Sequence, residues 1–128
     1  MGDLDRAIQI NPEYAEAYNN RGIAYNNLGN YTLAISDSER AIEIKPRYAD
    51  AYCNRGIAYN SLGNYNQAIR DFNRAIEIKP LLAEAYYNRG IAYNSLGDYK
   101  QAIEDLKTAA KLGNKVSQDS LRRQGIHW

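Results

Sequence analysis

A ten-residue segment occurs three times in this chain, each copy 34 residues after the one before it. The copies are Asn20–Gly29, Asn54–Gly63 and Asn88–Gly97, and they differ at a single position. Self-similarity at a fixed period of roughly 20 to 50 residues is typical of arrays in which one small unit is stacked repeatedly. The sequence therefore predicts a fold built by repetition, in which each unit covers the apolar face of its neighbour.

Each unit has the pattern of two helices joined by a short turn. In the first unit, the i, i+4, i+7 spacing of one helix face is held by Tyr18, Gly22, Tyr25 and Leu28. This spacing predicts a first helix over Ala15–Leu28, which Gly29 and Asn30 then break. A second helix is expected over Tyr31–Ile44, and Pro46 ends the unit.

The same plan recurs along the chain and predicts a single array over residues 1–128. The segments are 1–14 (the second helix of a truncated unit), 15–48, 49–82 and 83–116 (three full units), and 115–128 (a capping helix and tail). In the capping helix we expect Val116 and Leu121 to face inward, because the last unit of an array needs a cover. No strand pattern is present, so the predicted fold class is all-α, an α-solenoid of antiparallel helix pairs.

Charge and composition argue against several classes of function. The 128 residues carry a net charge of +1 with both signs interspersed, so no nucleic-acid or membrane partner is expected. Cys53 is the only cysteine, which excludes a disulfide framework and a cysteine-based metal site. No nucleophile with a base and an orienting group is visible, so we expect no enzyme, metal or cofactor. The cysteine content fits a cytoplasmic location.

The spacing of tyrosine, small residues and proline within each unit resembles that of the tetratricopeptide repeat. The matching residues of the first unit are Tyr18, Gly22, Tyr25, Gly29, Tyr31, Ala34, Ala41 and Pro46. The resemblance covers residues 15–116 and the helix before them. It implies a right-handed superhelix whose first helices line a concave groove that binds a peptide or a partner protein. Members of this family are seldom enzymes by themselves.

A second stripe of each first helix remains after the packing residues are set aside, and by the resemblance it lines the groove. Its members are Glu16, Asn19, Asn20, Ile23, Asn26 and Asn27, then Asp50, Cys53, Asn54, Ile57, Asn60 and Ser61, then Glu84, Tyr87, Asn88, Ile91, Asn94 and Ser95. An amide offers one acceptor and two donors, so we expect Asn20, Asn54 and Asn88 to hold an extended peptide by its main chain. The isoleucines beside them would take apolar side chains of the peptide. Alternatively, these asparagines brace neighbouring helices or are solvated.

Acidic residues at the mouth of the groove favour a basic or apolar guest. They are Glu16, Asp50 and Glu84. Alternatively, they are solvated acids that favour the helix dipole. The two-carboxylate clamp that some members of the family use on chaperone C-termini needs Lys and Arg on this face. The matching positions here carry acids, Asn and Ile, so no such clamp is expected.

Two other recurring sets are interpreted as structural. They are the arginines Arg21, Arg55 and Arg89 and the aspartates Asp37, Asp71 and Asp105, which we expect to form ion pairs between adjacent helices. Ser38 stands where the other units have Phe72 and Leu106, and it predicts a weak spot in the core of the first unit.

Two alternatives to peptide binding remain open at this stage. The helix over residues 3–10 has no partner helix before it, so its exposed apolar residues could support a homo-oligomer or a stacked superhelix. The chain could also be the regulatory repeat region of a larger protein.

Overall fold

The computed structural model describes residues 1–128 as eight α-helices with no strand. The helices are α1 Gly2–Ile10, α2 Ala15–Asn27, α3 Tyr31–Ile44, α4 Ala49–Ser61, α5 Tyr65–Ile78, α6 Ala83–Ser95, α7 Tyr99–Lys111 and α8 Lys115–Arg123. Helices α2 and α3, α4 and α5, and α6 and α7 pack as pairs, and each pair packs on the next. The predicted all-α solenoid is therefore confirmed.

Glycine ends the first helix of every pair. Gly29, Gly63 and Gly97 adopt φ values of 80°, 81° and 83°, in the left-handed region that a side chain disfavours. At the first turn the Asn30 N–H donates to the Tyr25 carbonyl at 2.8 Å, and the Gly29 N–H donates to the Asn26 carbonyl at 3.1 Å. These two bonds form a Schellman motif, which satisfies the last carbonyls and turns the chain toward the second helix.

Small residues let the paired helices approach closely. A Cβ placed on Gly56 would lie 2.6 Å from the ring of Phe72, which is itself fully buried. In the first pair the place of Phe72 is taken by Ser38, whose hydroxyl is buried without a hydrogen-bond partner. The core of the first pair thus contains less apolar volume and an unpaired polar atom, as expected from the sequence.

Ion pairs join the two helices of each pair. They are Arg21 with Asp37, Arg55 with Asp71, and Arg89 with Asp105, each with two hydrogen bonds of 2.7 to 2.9 Å. The predicted structural role of these residues is confirmed. The three aspartates are buried, which removes their carboxylates from water. In each pair the guanidinium compensates for this by donating a hydrogen bond to both carboxylate oxygens.

Two packing predictions were wrong. Leu28 was expected on the packed stripe of α2 but is 65% exposed, because the helix ends one residue earlier and Leu28 lies at the turn. Val116 was expected to face inward from α8 but is 53% exposed, whereas Ser117 and Leu121 are buried against α7. Helix α8 is thus rotated relative to the orientation that its apolar residues suggested.

Candidate functional site

The first helices of the three pairs lie side by side and form a groove. Helix α2 contacts α4, and α4 contacts α6. A cavity of about 460 Å³ opens among them, and it is lined by Asn19, Asn20, Ile23, Tyr48, Asp50, Cys53, Asn54 and Glu84. Seven of these eight residues belong to the stripe expected from the sequence, and Tyr48 was not expected. The repeat pattern could have indicated Tyr48, because it directly precedes α4.

The asparagines Asn20, Asn54 and Asn88 occupy three different environments. Asn20 is exposed, and its side chain makes no hydrogen bond within the chain. Asn54 is 8% exposed, and its Nδ2 donates to Oδ1 of the equally buried Asn19 on α2 at 2.7 Å. Asn88 donates instead to the Glu84 carbonyl of its own helix at 2.9 Å. The reason lies in the preceding helix, where the residue equivalent to Asn19 is Cys53, a weak acceptor.

The asparagines near the ends of the first helices connect neighbouring units. Asn26 Nδ2 donates to the backbone carbonyl of Asn54 at 3.1 Å, and Asn60 Nδ2 donates to that of Asn88 at 3.1 Å. Their Oδ1 atoms are buried without partners. In this structure both side chains, which were expected to line the groove, brace adjacent helices. The equivalent Asn94 is exposed and makes no such bond.

The cavity has a negative electrostatic character. Burial raises the pKa of the Glu84 carboxyl, and the nearby Asp50 raises it further. The pKa of the Cys53 thiol is also raised, first by burial and then by Glu84 and Asp50. Burial raises the pKa of Tyr48, with a further contribution from Glu16 and Asp50. Glu16 itself lies 3.5 Å from the ammonium of Lys45, outside the cavity lining.

The groove isoleucines also differ in exposure. Ile23 and Ile91 are each 38% exposed and are available to a ligand. Ile57 is half-buried and packs on the core cluster that contains Cys53 and Phe72. Cys53 belongs both to this core and to the floor of the cavity.

A second cavity, of about 420 Å³, lies between α6, α7 and α8. Its lining consists of Tyr87, Gly90, Ile91, Asn94, Tyr99, Ala102, Ile103, Leu106, Val116, Ser120, Arg123 and Gln124. Tyr87, Ile91 and Asn94 were expected in the groove. The residues from α8 were not, because that helix does not repeat the sequence of the others.

No helix of the chain is long and apolar enough to cross a membrane. No group of three or more His, Cys, Asp or Glu side chains is arranged to hold a metal ion.

Stacked helix pairs with a groove along their first helices define a helical-repeat interaction protein. A model of the tetratricopeptide repeat matches residues 15–48, 49–80 and 83–113, so the chain belongs to the tetratricopeptide repeat family. The family consists of protein–protein interaction modules. The three matches begin at the residues that the sequence predicted as the first of each full unit.

Several solved structures share this fold. The TPR domain of Arabidopsis OM64 is 32% identical, with 88% of this chain and 97% of that chain covered and a TM-score of 0.79. MamA is 32% identical, with 90% and 67% covered and a TM-score of 0.76. The first TPR of Spaghetti (RPAP3), bound to the HSP90 peptide SRMEEVD, is 26% identical, with 85% and 88% covered and a TM-score of 0.78. No curated protein sequence matches the chain significantly.

Proposed function

We propose that this chain binds an extended segment of a partner protein in the groove formed by α2, α4 and α6. The observation that carries this proposal is the cavity in which Asn20, Asn54 and Glu84, from three successive units, line one surface. A stacked array presents such a surface without any change in its core. The floor of the cavity is formed by the folded chain before a guest binds.

Amide groups would hold the main chain of the guest. Asn20 has its donor and its acceptor free, while the bond from Asn54 to Asn19 leaves Oδ1 of Asn54 without a partner within the chain. An extended peptide presents a carbonyl and an N–H at every residue, so two such amides fix its position without specifying its sequence. Ile23 lies beside Asn20 and supplies apolar contact.

The charge of the groove favours a basic guest. Asp50 and Glu84 line the cavity and no Lys or Arg does, so a lysine or arginine side chain of the guest would be attracted there. The acidic peptide bound by the first TPR of Spaghetti has the opposite charge. We therefore expect this part of the groove to reject such a sequence.

Selection from a random decapeptide display library tests the proposal. On the wild-type chain the selected peptides should be enriched in Lys and Arg over Asp and Glu. The variant Asp50→Lys should lose this enrichment, whereas Glu104→Lys, which changes an exposed acid on α7 outside the cavity, should keep it. Equal enrichment on both variants, or none on the wild type, contradicts the proposal.

A second candidate is self-association through α1. This helix contains no fully buried residue, and Ile10 at its end is 71% exposed. A second copy could cover this surface. Light scattering should then show a dimer for the chain and a monomer for the variant Ile10→Glu, and a monomer for both rejects this candidate.

A further inference from the structure

The groove continues beyond α6, and its chemistry changes there. Next to the acidic cavity, the second cavity is lined mainly by apolar residues of α6, α7 and α8. Several of them keep a large exposed surface, among them Ile91, Tyr99 and Val116. Apolar side chains around a concave opening are typical of a surface that receives an apolar group.

One positive charge stands at the edge of this apolar surface. Arg123 is the ninth residue of α8, and the ninth residues of the three preceding first helices are Ile23, Ile57 and Ile91. Ile91 on α6 and Arg123 on α8 line the same cavity, so a guanidinium adjoins the apolar surface where the repeat pattern would place an isoleucine. The structure shows no carboxylate within ion-pair distance of Arg123, which lines the cavity.

The neighbouring arginine provides an internal comparison. Arg122 Nη1 donates to Asp119 at 3.1 Å, and its guanidinium lies 5.2 Å from the ring centre of Trp128. Its charge is therefore used within α8 and the tail. Arg123 has no such partner, although it stands at the adjacent position of the same helix.

We propose that the α6–α8 end of the groove binds an apolar side chain of the guest together with a carboxylate held by Arg123. This inference rests on the proposed peptide-binding function and adds to it. The guest would be bipolar, with a basic residue at Asp50 and Glu84, and an apolar residue next to a carboxylate at the far end. The carboxylate can come from an Asp or Glu side chain or from the end of a chain.

Helix spacing sets the separation of these two features. Packed helices lie about 8–10 Å apart. Two such spacings, from α4 to α6 and from α6 to α8, place a carboxylate bound by Arg123 roughly 16–20 Å from Asp50. An extended chain rises about 3.3 Å per residue, so about five residues should separate the basic residue from the apolar one.

Fluorescence anisotropy with synthetic peptides tests this bipolar chemistry. Two fluorescein-labelled peptides are used. The first has the sequence Lys-Lys, then a Ser-Gly-Ser-Gly-Ser spacer, then Leu-Glu with an amidated C-terminus, and the second has the same sequence in reverse order. One of the two orientations should bind, and replacing its Leu by Ala should weaken binding about tenfold. Shortening the spacer to two residues should weaken it comparably. A version that has a free C-terminal carboxylate in place of the Glu side chain distinguishes the two sources.

The contribution of Arg123 is measured with matched variants. Arg123→Gln should weaken binding about threefold, as expected for an exposed ion pair, and the same variant should no longer respond to a Glu→Gln change in the peptide. Arg122→Gln, the control, should bind as the wild type does. Arg123→Glu should favour a peptide in which Lys replaces Glu.

The outcomes separate this inference from the function on which it rests. Peptides that bind and respond to Asp50→Lys, but not to Arg123→Gln or to the loss of Leu, overturn the bipolar guest and leave the acidic groove intact. If neither orientation binds while the display selection still yields Lys- and Arg-rich peptides, the bipolar guest is overturned and the proposed function stands; if the selection fails as well, both are overturned. Equal effects of Arg122→Gln and Arg123→Gln also overturn the inference. They would mean that the net positive charge of α8 attracts the peptide at a distance, without a direct contact between Arg123 and its carboxylate.

Discussion

Arg55 on α4 holds Asp71 on α5 by two hydrogen bonds, from Nε to Oδ2 at 2.9 Å and from Nη2 to Oδ1 at 2.8 Å. Burial nevertheless raises the pKa of Asp71 above its usual range, and the opposing effect of Arg55 does not reverse the shift. The pKa of Arg55 is raised as well, mainly by its hydrogen bond to Asp71, so the pair favours the charged guanidinium while burial disfavours the charged carboxylate. The pair defines how α4 and α5 pack, rather than adding much net stability.

Breaking this pair on one side should cost more than replacing both residues. Arg55→Met leaves a buried carboxylate without its partner, and the free energy of unfolding should fall by about 2 kcal/mol. The double variant Arg55→Met, Asp71→Leu should be clearly more stable than that single variant, because no buried charge remains. Urea unfolding followed by circular dichroism measures both. A double variant less stable than Arg55→Met would contradict this account.

Replacing Ser38 with leucine should stabilise the chain by about 1 kcal/mol. The buried hydroxyl of Ser38 lacks a hydrogen-bond partner, and Leu106 fits at the same place in the third pair. The space is comparable, because a Cβ on Gly22 or on Gly90 would lie 3.4 or 3.2 Å from the nearest backbone oxygen. The midpoint of thermal unfolding should rise.

The control for this prediction is Ser36→Leu, on the exposed side of the same helix. It adds the same apolar volume without filling the core, so its midpoint should not rise. A similar rise in both variants would mean that helix propensity, not core packing, is responsible.

The asparagines of the groove should separate into structural and exposed ones. Asn54→Ala removes the donor to the buried Oδ1 of Asn19 and should lower the free energy of unfolding by about 1–2 kcal/mol. Asn20→Ala should leave stability unchanged or slightly higher, since Asn20 is exposed within a helix. Chemical denaturation of both variants checks this. Equal losses would show that the Asn19–Asn54 bond contributes nothing.

This difference determines which variant can test peptide binding. A loss of binding in Asn54→Ala could follow from a disturbed α2–α4 contact. Asn20→Ala changes only an exposed amide, and a loss of binding there reports contact with the guest.

Binding of a basic peptide should weaken on mild acidification. The pKa of Glu84 is raised by burial and by Asp50, so this carboxylate loses its charge at a higher pH than an ordinary Glu. The attraction for a lysine is complete above the raised pKa and is lost as the pH falls through it. Anisotropy of a lysine-containing probe between about pH 7.5 and pH 4.5 measures this. The variant Glu84→Gln should bind more weakly at neutral pH and respond less to pH, and an identical profile would contradict the prediction.

Much of the fold could be predicted because two periods act together. The helical period assigns each residue to a face, and the 34-residue period assigns each helix to a neighbour. Helix ends followed from Gly29 and Pro46 to within a residue. The exposure of Leu28 could not be predicted. The helical pattern assigns Leu28 to the packed face, but it does not show whether a neighbouring helix extends far enough to cover the last residue of that face.

The groove was predicted less completely, for a physical reason. A repeat pattern places Asn20, Asn54 and Asn88 at equivalent positions, but the partner of each amide depends on what the preceding helix offers. Asn19 accepts a bond from Asn54, whereas Cys53 leaves Asn88 to bond its own helix. Equivalent positions in sequence are therefore unequal in chemistry.

The sequence by itself determined that this chain is a stack of helix pairs, and its resemblance to the tetratricopeptide repeat implied that the first helices line the groove. Only the tertiary structure decided how the groove ends. Three residues separate α7 from α8, whereas four separate α3 from α4, and α7 is one residue shorter than α3. This shift moves α8 out of the 34-residue register, and in the folded chain Arg123 lines the same cavity as Ile91. Helical periodicity specifies faces, but the contacts between helices depend on packing that no single segment contains.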